Sequence, residues 1–141
     1  MMKEQEQTRM SSPTKETLLV YNMQNTSKGK LLKLICMQLG IRVRVVEKEE
    51  FLQPIGYLAG LKGVEPSEER FDGEGFDDEM LILSGFTSNR MDLLFGMFRR
   101  QKMERIALKA VVTEHNWSWD SIRLHDELRQ EHAYMQQNRG N

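Results

Sequence analysis

Cysteine, long apolar runs and any excess of charge are what this chain lacks. Its 141 residues include one cysteine, Cys36. A lone thiol excludes an internal disulfide framework and suits a reducing cytoplasm, which sets the expected localisation. No apolar run approaches the ~20 residues that span a bilayer, and the amino terminus has no apolar core of a signal peptide. No membrane partner is therefore expected. Twenty basic residues face 21 acidic ones, a formal charge of -1. That balance removes the electrostatic footing of a nucleic-acid binder. Also missing are the glycine-rich dinucleotide fingerprint, the phosphate-loop lysine motif, a zinc cysteine pair and a nucleophile elbow. The expectation is no cofactor, no metal ligand and no catalytic residue, which leans against an enzyme without excluding one.

What is present is one core's worth of apolar residues, 39% of the chain against 29% charged. A chain of this length buries roughly two-thirds of its unfolded surface and needs no covalent staple. Residues 1–16 and 136–141 are polar and read as flexible tails around a single domain over 17–135. From Lys62 to Glu79 there are eight carboxylates against two cations, with three glycines and Pro66. That stretch, 62–78, reads as a solvated acidic connection that buries little, joining halves 17–61 and 79–135.

Each half repeats one grammar. Leu18 to Tyr21 is a short apolar strand. A helix from Lys28 to Leu39 follows, with Leu31, Leu34, Ile35 and Leu39 as its stripe and Gly40 at its carboxyl cap. Ile41, Val43 and Val45 alternate with arginines as an edge strand. Pro54 opens a short helix over Ile55 to Ala59. In the second half, Met80 to Leu83 is a strand. Thr87 or Ser88 caps a helix with Met91, Leu94, Phe95 and Phe98 on one face. Ile106, Leu108, Ala110 and Val112 form a fourth strand, and Ser118 caps a last helix running towards Met135.

Strands apolar on both faces, joined by helices, indicate an α/β fold. With right-handed crossovers, the expected sheet has order 2-1-3-4, is mostly parallel, and is covered by helices on both faces. The rival is a ferredoxin-like α+β sandwich with an extra carboxyl-terminal helix, which shares the two central strands.

Three segments carry a family likeness: Gln53 to Gly60, Leu83-Ser84-Gly85-Phe86, and Ile106 to Thr113 with Asn116 and Trp119. Together they resemble a bacterial family known as domain of unknown function 3783, over roughly Thr17–Leu61 and Glu79–His132. Glu114 stands where that family often has proline. The resemblance implies a soluble bacterial α/β protein and no particular activity.

A parallel sheet would gather ligands beyond its strand carboxyl ends, near Asn22, Ser84, Gly85, Lys109, Thr113 and Asn116. Lys109 is the sharpest of these, because an ammonium on a strand is costly to bury unpaired. Its stem lying on the sheet with the charge in water is the plainest reading, ahead of anion binding and then catalysis. Thr113 and Asn116 suit a loop held by side-chain bonds to backbone. His115 has the chemistry of an acid or base but no orienting partner. His125 and His132, seven residues apart, are too far apart along a helix to ligate one metal. Cys36 reads as a buried structural thiol. Gly56, Ala59 and Gly60 give a helix with a bare side, packed against the sheet or against a ligand or subunit. Arg99, Arg100, Lys102 and Arg105 complement a helix carboxyl end or meet the acidic connection.

Three functional classes remain open from sequence. The first is a binding or regulatory module with a small anionic ligand at the strand ends. The second is an interaction subunit, as a homodimer or with another protein, and the third an enzyme of unidentified class.

Overall fold

Within each half, a strand, a helix and a second strand follow in an order that permits only a crossover connection. A computed structural model describes residues 16–139. The amino-terminal tail read over 1–16 thus lies outside the described residues except for Glu16, as do 140–141. The elements are β1 (Thr17–Tyr21), α1 (Ser27–Leu39), β2 (Arg42–Val45), a 3-10 turn (Lys48–Glu50), α2 (Ile55–Leu58), β3 (Met80–Ser84), α3 (Ser88–Arg100), β4 (Leu108–Val111) and α4 (Ser121–Arg139).

The four strands form one sheet in the expected order β2-β1-β3-β4. Each βαβ unit pairs its two strands in parallel, as a helical crossover requires. A crevice shared by all four strand ends needs every strand to run the same way, and they do not. The central pair, β1 and β3, is antiparallel, with Leu19 opposite Ile82 and Tyr21 opposite Met80. The sheet is mostly parallel, two pairings of three, and the α/β class stands. The physical reason lies in the connection: residues 62–78 contain no crossover helix and bring the chain back to the end where β1 stops. The ferredoxin-like alternative, with its antiparallel neighbours, is not adopted.

Alternate residues of the central strands supply two cores. Leu18, Val20, Leu81 and Leu83 face α1 and α3, meeting Leu32, Ile35, Cys36, Leu94 and Phe98. Leu19, Tyr21, Met80 and Ile82 face α2, α4 and the turn, meeting Phe51, Ile55, Leu58 and Leu124. Both faces of β1 and β3 are therefore dry, which explains their unbroken apolar runs. The stripe read on α1 is rotated: Leu32, Ile35 and Cys36 are buried, whereas Leu34 is half exposed.

The caps follow from local chemistry. Thr26 and Thr87 accept backbone N–H bonds from Gly29 and Arg90 at the starts of α1 and α3. Gly40 adopts the left-handed conformation at the end of α1, φ 74°. At α4 the cap is Asp120, which accepts from the Arg123 amide at 2.9 Å, and Ser118 is not the cap. That helix runs to Arg139, through residues 136–139 that the sequence reading gives to a tail.

The acidic connection buries more than its charge suggests. Phe71 and Phe76 pack against the second core, with Phe76 stacked 4.6 Å from Phe51 and 3.7 Å from the His125 ring. Gln53 exchanges two hydrogen bonds with the Ser67 backbone, and Asn22 donates to the carbonyls of Phe76 and Asp78.

Two matching ion pairs tie the halves together. Glu16, just before β1, takes two bonds of 2.7 Å from Arg90, which also donates to the Leu39 carbonyl at the end of α1. Glu79, just before β3, takes one of 2.7 Å from Lys28, which also donates to the Arg105 carbonyl ahead of β4. The halves are thus related by an approximate half-turn about the β1–β3 seam.

Candidate functional site

With β1 and β3 opposed, the carboxyl ends of the four strands do not share a rim. Ser84, Gly85 and Thr113 lie together at one end, lining a shallow groove of about 360 Å³ with Leu61, Val112, Glu114 and Trp117. Asn22 lies at the other end, its amide consumed by the connection. Lys109 pairs with Leu81 near the start of β3, so it too is away from Ser84 and Gly85. The six residues expected to form one crevice are therefore not brought together.

Thr113 and Asn116 serve each other. Asn116 Oδ1 accepts from the Thr113 amide, and its Nδ2 donates to the Val111 carbonyl. Thr113 Oγ1 accepts from the amides of His115 and Asn116. With its polar atoms bonded and its side chain buried, Asn116 is a loop fastener. His115 is exposed.

A cleft of about 450 Å³ lies between α3 and β4. Leu81, Phe98 and Ile106 are its buried apolar surface, joined by Phe95 and Met103. Arg99, Glu104, Arg105 and Lys109 complete the lining. Three local choices build it. The i, i+3 pair Phe95 and Phe98 turns two rings, 5.9 Å apart and edge to face, towards the sheet. Lys102 takes a left-handed conformation, φ 59°, and folds the chain back beyond α3. Alternation on β4 then sends Lys109 to the α3 side while Leu108 joins the opposite core.

The Lys109 ammonium donates to the Ile106 carbonyl at 2.6 Å and lies 5.8 Å from the centre of the Phe95 ring. Burial, and then the neighbouring Arg105 charge, lower its pKa from the ordinary lysine value. Among the described residues, none of Arg99, Arg105 or Lys109 has an acidic partner within 4.0 Å. Of Arg99, Arg100, Lys102 and Arg105, for which two roles were open, none pairs with the acidic connection among the described residues, whereas Arg99 and Arg100 stand in the last turn of α3, where cations complement the helix end. The connection's Asp78 instead reaches His125 and Arg129, and Glu79 beyond it reaches Lys28. In the sequence Lys109 and the basic cluster stand apart, and nothing there shows that Arg99 and Arg105 line one cleft with Lys109. The missing signal is the reversal at Lys102, where no glycine marks the turn.

Other titratable groups have structural partners. Tyr21 and Ser121 share a buried 2.6 Å hydrogen bond, and burial pushes the Tyr21 phenol well above its usual range. Burial also pushes the Cys36 thiol up to about 12, which fits an inert core sulfur. His125 bonds Asp78 at 2.8 Å, and that bond holds the Asp78 carboxyl below its usual value, against some desolvation and with help from Arg129. Among the described residues there is no group of three or more metal-capable side chains. Nor is any helix there long and apolar enough to cross a membrane.

Fold and cleft together define an α/β protein of two βαβ units, with a cation-lined apolar cleft in the second. That second unit resembles a known family: residues 79–135 match the family described as Domain of unknown function (DUF3783). The match covers β3 to most of α4 and leaves out the likeness read over Thr17–Leu61. No curated protein and no solved structure matches the chain.

Proposed function

We propose that this protein is a non-catalytic binding module whose small anionic ligand seats in the cleft between α3 and β4. One observation carries the reading: Arg99, Arg105 and Lys109 line one cleft beside a single acid, Glu104, and none of the three is paired with an acidic side chain among the described residues. A partly desolvated cation gains most from an anion that arrives with its own hydrogen-bond acceptors. The cleft's volume of about 450 Å³ also lies within the range of small-molecule sites. In the lining, the Lys109 ammonium bonds the Ile106 carbonyl rather than Glu104, which favours binding over catalysis.

Thermal unfolding in the presence of phosphate, nucleotides and carboxylates tests this. At least one anion should raise the midpoint of the native chain, less so at high salt, and the rise should shrink in Lys109→Met. That substitution keeps the stem's packing and removes the charge. No shift with any anion, or an undiminished shift in the variant, would overturn the proposal.

A further inference from the structure

The cleft's lining is divided by polarity, and that division narrows the ligand. Leu81, Phe98 and Ile106 are almost fully buried and form an apolar floor, while Arg99, Glu104 and Arg105 are exposed. Lys109 bridges the two zones, with its stem on the sheet beside Phe95 and its ammonium held at the Ile106 carbonyl. A hydrophilic phosphorylated metabolite would satisfy the cations and leave a wet polar body against Phe95, Phe98 and Met103. A neutral apolar molecule would fill the floor and leave the cations unanswered. Only a molecule with an apolar body and one anionic end answers both zones.

A polypeptide with an apolar carboxyl-terminal residue has the same two ends. The open edge of β4 argues against it. Val112 donates to the Leu83 carbonyl, so the backbone groups of Lys109 and Val111 point to the free side of this four-residue strand. The Val111 carbonyl is already closed by Asn116. Too little ladder is left to hold an added strand.

We infer that the cleft binds an amphiphilic carboxylate of fatty-acid type, its chain on the Leu81–Phe98–Ile106 floor and its head among Arg99, Arg105 and Lys109. This rests on the anion-binding reading above and gives it a ligand class. Titration calorimetry of the full chain with octanoate, decanoate and dodecanoate, kept below their micellar concentrations, tests it. Affinity should rise roughly fourfold for each methylene that enters the cleft. It should fall roughly tenfold or more in Lys109→Met, and also in the double variant Arg99→Gln with Arg105→Gln, whose exposed positions spare the core.

Decanol binding as tightly as decanoate would overturn the inference. So would tighter binding of a short peptide ending in an apolar residue. Inorganic phosphate or a phosphorylated metabolite binding where the carboxylates fail would also overturn it, while leaving anion binding intact. Failure of every anion removes both readings.

Discussion

Gly56 has backbone on its bare side where a methyl group would go. Its amide donates to the Trp117 carbonyl at 2.7 Å, and a Cβ built there would lie 3.2 Å from both that oxygen and Val64 Cγ2. The glycine admits the 117–119 loop to the start of α2, where Ile55 likewise donates to Trp119. The bare side was legible in the sequence. Its partner was not, because the loop comes from the other half of the chain, about sixty residues away. Gly56→Ala should cost about 1–3 kcal/mol, since backbone on the far side cannot swing clear as a side chain would. Urea unfolding at pH 7 measures it. Lys109 follows a similar pattern: an ammonium at a strand position was conspicuous, but its carbonyl partner and its cationic neighbours depend on how the chain turns at Lys102.

Among the elements, the helices and strands were the most legible, since their periodicities and caps are local. The acidic connection was the least. Its carboxylates suggest a solvated strand of chain, and composition does not say that two phenylalanines spaced five apart can anchor it. Phe71 and Phe76 do so, and Asp78 then locks its end to α4 through His125 and Arg129. Because the folded-state pKa of Asp78 is depressed, the native state binds fewer protons than the unfolded one near that value. The lock's contribution is therefore complete above the ordinary carboxylate range and is lost as pH falls through the lowered pKa. Asp78→Asn should destabilise the protein at pH 7. The gap from the parent should close as the pH is lowered below the usual aspartate value. Its size should be modest, since the Asp78 side chain is 40% exposed. Denaturant midpoints across that range check both sign and window.

For the whole molecule, strand order could be read but one strand direction could not. Within a half, the helix between two strands dictates parallel pairing. Between halves, β1 and β3 are dry on both faces, and that pattern is the same whichever way they run. The linking segment is long enough to reach either end of the sheet. A single inverted pairing then separates Ser84, Gly85 and Thr113 from Asn22, and the parallel register of β4 sets Lys109 beside Leu81 near the start of β3, so the expected crevice dissolves although most of the fold was anticipated.

The half-turn that relates the two βαβ units makes their seam self-complementary in kind. A fragment beginning at Glu79 and ending at Arg139 would leave the inner border of β3 vacant, and a second fragment rotated by 180° offers the same border in return. The repaired sheet would read 4-3-3-4. Glu79 of one fragment would then sit where Glu16 sits now, within reach of the other's Arg90. Such a fragment should sediment as a dimer and dissociate more readily when Arg90 is changed to Gln. A folded, strictly monomeric fragment would show instead that the seam depends on side chains peculiar to the first unit.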